Sequence, residues 1–196
     1  MPDATPNKIK YGLKNVYYAK ATIAADGSAT YASPVAIPGA VSMSLDAQGE
    51  NTPFYADNIV YYVGVANNGY EGDLEIARVP DSFKKDILGY IEDTKNILIE
   101  DADAEPGHFA LLFQFEGDVK ATKHVIYNCT ATRAALSGNT KEENVEPQTE
   151  SMTLTATTIY NATLGKNIVK AEAGVNADAT TYNGWNSAVY QPVSGG

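Results

Sequence analysis

The chain is short of the residues that build chemistry. Of its 196 residues one is cysteine and two are histidine. A lone thiol, Cys129, excludes an intrachain disulfide and a multi-cysteine metal site. No run approaches the roughly 20 apolar residues that a membrane helix needs, so no membrane anchor is expected. The opening residues Met1-Pro2-Asp3-Ala4-Thr5-Pro6 lack the apolar core of a secretory signal, and synthesis and folding in a cytoplasm are expected. Positive charge is scarce as well. Lys and Arg number 14 against 24 Asp and Glu, a net charge of −10. That balance excludes ordinary DNA or RNA binding, in which basic side chains displace counterions. It also excludes attraction to an anionic membrane surface.

What could carry a reaction is thin. A thiol nucleophile needs a base within hydrogen-bond reach. His124 and Cys129 lie at odd spacing on one predicted strand, which puts them on opposite faces unless a bulge intervenes. Asp101-Ala-Asp103-Ala-Glu105 opens like a calcium loop, but Pro106 and Leu112 stand where that loop needs its glycine and its final glutamate. Asn128-Cys-Thr130 and Asn161-Ala-Thr163 match the glycosylation sequon, which carries no weight without a secretory route. The glycines at 64, 69 and 72 do not fit a nucleotide-binding spacing. No enzyme and no cofactor are expected.

What is present is patterning and tyrosine. The length fits one domain over 1–196 with a real core, and thirteen tyrosines suit half-buried sheets and interfaces. Residues 1–10 read as a loose N-terminal arm. Val16 to Thr22 reads as a strand, and Val41, Met43 and Leu45 alternate with polar residues at the strand period. Residues 46–57 break every pattern and read as a long inter-strand loop, uncommon without a task. Ile59, Tyr61, Val63 and Val65 alternate again, with Val60 and Tyr62 between them, so both faces of that strand look covered. One short helix starts near Pro80-Asp81-Ser82, where Asp81 or Ser82 can cap it. Its stripe of Phe83, Ile87, Leu88 and Ile91 is its core face. Ile97 to Ile99 reads as a short strand. Phe109 to Phe115 and Ala121 to Thr132 read as long strands joined near Gly117-Asp118. Residues 137–150 form a polar connection, and Met152, Leu154 and Ala156 mark a further strand. The C-terminal arm, 172–196, spaces Tyr182, Trp185, Val189 and Tyr190 through polar sequence, which suits docking. The sum is a mainly β chain with one short flanking helix, a long loop and extended terminal arms. A sandwich or barrel is the expected way to bury its apolar faces.

Several of these stretches stand in a distinctive order: Gly72-Asp73-Leu74-Glu75-Ile76, then Pro80 to Tyr90, Phe109-Ala110-Leu111-Leu112-Phe113, and His124 to Cys129. Thr140-Lys141-Glu142-Glu143 and Glu146 to Glu150 follow. The order resembles the phi13-type major tail proteins of long, non-contractile-tailed bacteriophages. It extends through most of the chain and returns at Trp185 and Ala188-Val189-Tyr190.

The resemblance implies a tail-tube subunit with a β-sandwich or barrel and a flanking helix. It implies hexameric rings stacked into a hollow tube around a tape-measure protein, with tail-tip and terminator proteins at the ends. DNA would pass transiently through the bore. The chain would belong to the virion of a phage of Gram-positive bacteria and be made in the host cytoplasm. A compact chain of this length has a radius of gyration of about 16 Å, too small to enclose a duplex alone, so a conduit needs a closed ring. Residues of the 46–57 loop (Gln48, Glu50, Asn51, Thr52, Pro53, Phe54 and Tyr55) are the candidates for joining subunits. Asp46, Glu50, Asp57, Asp73 and Glu75 are candidates for an acidic lumen that repels phosphates. The alternative is a monomeric β-sandwich on a virion or cell surface that binds a carbohydrate or protein through Tyr and Trp185.

Overall fold

A computed structural model of the chain describes residues 5–140 and 147–194. Lys141, Glu142, Glu143 and Glu146, part of the motif order above, lie outside them. The first half holds β1 (Lys10–Ile23), β2 (Ala29–Tyr31), β3 (Val35–Ala36), β4 (Ala40–Gln48), β5 (Asn51–Ala56), β6 (Ile59–Val65), β7 (Gly69–Ile76) and α1 (Asp81–Asp86). Then come β8 (Ile91–Glu92), β9 (Leu98–Ile99), β10 (His108–Gly117), β11 (Thr122–Ala131) and β12 (Glu150–Ala156). β13 (Ile159–Asn161), β14 (Lys166–Ile168), β15 (Lys170–Ala173) and α2 (Ala179–Asn183) complete the order.

Among the described residues one antiparallel sheet of nine strands dominates, its main path running β2-β1-β10-β11-β12-β7-β4, with β3 also paired to β1. It forks at β11. The Cys129 end of that strand pairs with β12 and the Lys123 end with β15. The expected sandwich or barrel is corrected here, because no sheet closes among the described residues. β1 and β4, near opposite ends of the strand order, come into contact without a hydrogen-bonded ladder between them. The sheet curls around one core and stays open along that seam.

Strand alternation explains the two cores. One face of the sheet contributes Tyr18, Leu74, Phe109, Leu111, Ile126, Met152 and Leu154 to the inner core, where α1 adds Phe83 and the turn after it Ile87 and Leu88. Phe83 meets Tyr18 and Phe109 edge-on at 5.0 and 5.3 Å, and the Tyr18 hydroxyl donates to Asp86 Oδ2 at 2.8 Å. The helix is shorter than its stripe predicts. Ile91 lies past its end in β8, paired with Ile99 and 53% exposed. Asp81 and Ser82 do not cap it either, since the N-cap is Pro80 and makes no side-chain bond.

The opposite face of β1, β10 and β11 contributes Ala19, Ala110, Leu112, Val125 and Tyr127 to a second core closed by Trp185 and Val189. Residues 172–194 are therefore no arm. Trp185 donates its indole N–H to the His124 carbonyl at 3.2 Å, Tyr182 its hydroxyl to the Ala121 carbonyl at 2.7 Å, and Trp185 stacks on Tyr190. Asp178 caps α2 by accepting from the Thr181 N–H. Asn7 of the N-terminal arm is tied down as well. The Asn7 side chain accepts from Val119 and Lys120 N–H and donates to the Lys120 carbonyl, clamping the β10–β11 turn.

Two bulges shift faces that simple alternation assigns. Val41 is the extra residue between Ala40 and Ser42 on β4, so it points outward while Met43 and Leu45 pack inward. A second register shift on β11 brings Cys129 onto the inner face that also carries Ile126, with His124 stacked on Phe113 of the same core. The expected opposite placement of His124 and Cys129 is thereby corrected.

Candidate assembly interface

Residues 46–57 are not a loop. Asp57 and Asn58 both hold positive φ, 52° and 62°, the paired left-handed conformation whose twist suits a tight β-hairpin. Apolar and β-branched residues on both sides then pair as β5 and β6, from Ala56↔Ile59 to Asn51↔Val65. Tyr61 is an extra residue opposite the Phe54–Tyr55 step. The hairpin is a continuation of β4 and β7, because Asn68 N–H bonds the Gln48 carbonyl at 2.9 Å and Ala66 N–H the Glu50 carbonyl at 3.3 Å. Two glycines permit the join. A Cβ on Gly49 would come within 2.0 Å of the Ala66 carbonyl oxygen, and one on Gly69 (φ 97°) within 1.8 Å of that of Ala156.

The result is an arm. β5 and β6 pair with each other and, among the described residues, make no other extensive contact. From Asn51 to Val63 every residue except Ala56 is exposed, including Phe54 at 61%, Tyr62 at 66% and Tyr61 at 72%. The expectation that both faces of β6 are covered is thus corrected within one copy. The predicted linking residues divide between Gln48 at the end of β4, Glu50 at the shoulder, and Asn51, Thr52, Pro53, Phe54 and Tyr55 on β5. Sequence reasoning missed Ile59, Val60, Tyr61 and Tyr62 as part of the same surface. The signal for them was the Asp57-Asn58 dipeptide between two apolar runs.

The candidate acids fall into two groups. Asp46, Asp73 and Glu75 share the outer face of β4 and β7 with Glu71, which stands opposite Asp46. Leu74 and Ile76 point the other way into the core. Hydroxyls orient the carboxylates: Thr153 donates to Asp73 at 2.8 Å, and Thr149 and Ser42 to Glu75 at 2.6 and 2.7 Å. The bonds from Thr149 and then Ser42 hold the Glu75 carboxyl below the usual carboxylate range. β4, β7 and β12 carry no Lys or Arg, so this face is uniformly acidic and hydroxylated. Glu50 and Asp57 belong to the arm instead.

The residues considered for chemistry sit elsewhere. Burial pushes the Cys129 thiol up to about 12, so it stays protonated at neutral pH. Asp101 closes on its own loop, its carboxylate accepting the Asp103 N–H at 2.9 Å. Among the described residues no group of three or more His, Cys, Asp or Glu is placed to hold a metal ion. Among them, too, no helix is long and apolar enough to cross a membrane.

A family model described as phage tail tube protein matches residues 2–109. The chain belongs to the phage tail tube protein family. The match takes in β1 to β9, α1 and the start of β10, and so the whole arm of this tail tube protein. The family is structural, and a self-associating β chain is what its fold provides. No curated protein and no solved structure matches the chain.

Proposed function

We propose that the chain is the repeating subunit of a phage tail tube of the phi13 type. It assembles as hexameric rings that stack around a tape-measure protein, between tail-tip and terminator proteins, into the conduit through which DNA leaves the virion. The chain is made in the host cytoplasm and ends in the tail.

The observation that carries this reading is the arm. An isolated two-stranded hairpin is marginally stable in water, and a large exposed apolar patch marks an interaction surface. Residues 51–63 combine both in one element of a tail tube family member. A neighbouring copy that covers Phe54, Tyr55, Tyr61 and Tyr62 supplies the missing burial. The carboxylate face of Asp46, Glu71, Asp73 and Glu75 turns toward the bore in this reading, where like charge keeps phosphates from adhering. A tube whose bore is neutral or basic would refute that part.

The test removes the arm. Joining Gln48 to Gly69 through an Asn-Gly turn should leave a folded, monomeric protein that forms no rings or tubes by negative-stain electron microscopy. The full chain across a concentration series should form hollow ones. Normal tubes from the shortened chain would overturn the assignment of the interface.

A further inference from the structure

The open seam of the sheet contains a pocket that the description so far leaves unused. It lies between β1 and β4, where the two ends of the curled sheet meet without a ladder. It measures about 320 Å³ and is lined by Lys10, Leu45, Tyr70, Phe115, His124 and Lys170 among others. Its walls are aromatic and apolar, and two exposed lysines stand at it. Neither lysine pairs with a carboxylate among the described residues. Lys10 Nζ sits over the Phe115 ring at 5.0 Å and Lys170 Nζ over the Tyr70 ring at 5.3 Å.

We propose that this seam pocket receives the arm tip of a second copy of the chain, with Tyr55 entering between the aromatic walls and Asp57 meeting Lys10 and Lys170. The inference rests on the tube reading and deepens it by naming the receiving site.

Complementarity is the first argument. The arm from Gly49 to Ala66 carries Glu50 and Asp57 and no basic residue. Asp57 sits at its tip between Tyr55 and Ile59, which are 62% exposed each. An acid flanked by apolar side chains is the counterpart of lysines flanking an apolar cleft. Both surfaces gain burial and charge pairing in one step.

Reach is the second argument. The arm leaves the body at Gln48 and Gly69, next to Leu45 and Tyr70 of the pocket. Its tip lies some eight strand residues further out, on the order of 25 Å at the usual rise per residue. The backbone bonds across Gln48–Asn68 and Glu50–Ala66 hold the arm in line with β4 and β7, so the tip does not return to its own pocket. Tip and pocket are therefore separate patches on one molecule. Contacts of that kind are heterologous and run head to tail, which is the geometry that closes rings.

Two experiments on the full chain test it. Mixing Asp57→Cys protein with Lys10→Cys protein under mild oxidation should give a disulfide-linked dimer on non-reducing gels. Neither protein alone should give it, and Cys129 stays buried and silent. Independently, Lys10→Glu/Lys170→Glu and Asp57→Lys should each cut the sedimenting fraction about tenfold, because like charges are brought together. Combining the three substitutions in one chain should restore it. Lys10, Asp57 and Lys170 are all exposed, so unchanged melting curves will show that the variants fold. If the wild type forms tubes while the charge variants assemble normally and no mixed disulfide appears, the pocket assignment is wrong and the tube reading stands. If the wild type does not assemble and the mixed cysteine variants do not cross-link, both are wrong.

Discussion

The Tyr127 hydroxyl is buried and has no hydrogen-bond partner among the described residues, an arrangement that costs about 1–3 kcal/mol when a polar group is sealed from water. The ring itself packs in the second core beside Tyr31. Tyr127→Phe keeps the ring and deletes the orphan oxygen. It should raise stability by about 1 kcal/mol in a urea titration, and a loss of that size would show that the hydroxyl has a partner. His124 gives a pH dependence with a definite sign. Burial lowers its pKa, and Glu172 at 3.7 Å offsets this only in part. The unfolded chain then takes up the proton first, near pH 6.5, so stability is full above that value and falls as the pH drops toward the folded pKa. The melting temperature should decline between about pH 7 and pH 5, and His124→Phe should flatten the decline. An equal slope in the variant would assign the effect to other groups. Some of this scale was legible in sequence. The docking role of Trp185 followed from an aromatic isolated in polar sequence. The shared face of His124 and Cys129 did not, because a bulge leaves no mark on side-chain alternation.

Elements were legible where one face is buried and the other is wet. β12 alternates Met152, Leu154 and Ala156, all buried, with Ser151, Thr153 and Thr155, and its pattern gives its orientation directly. The β10–β11 hairpin was readable from Gly117-Asp118. The arm failed that reading for a physical reason. Its apolar residues point to both sides, as in a strand covered on both faces, yet one copy covers neither. A pattern records burial in the functional state, and in the proposed tube the cover comes from outside the chain. The helix stripe misled at Ile91 because periodicity persists by chance beyond the turn at Leu88 and Gly89. The arm contributes little to the core, so the arm-shortened chain should melt within a few degrees of the full one. A collapse in stability would mean that the arm is structural rather than associative.

At the scale of the whole molecule, three features point in the same direction. The sheet stays open at one seam, an apolar arm extends from one corner, and the β4–β7–β12 face carries acids without a base. None is explained by a self-sufficient monomer, and each would find a use in the proposed ring with a central bore. The curl and the seam could not be read from sequence, because they depend on contacts between strands far apart in the chain and on a ladder that does not form. The most direct measurement is a cryo-electron microscopy reconstruction of virion tails that carry this chain. A tube subunit should appear as this fold repeated along the entire shaft, arm against neighbour, around a bore wide enough for duplex DNA. A shaft built from another protein, with this chain confined to the tip or to the outer surface, would contradict the assignment.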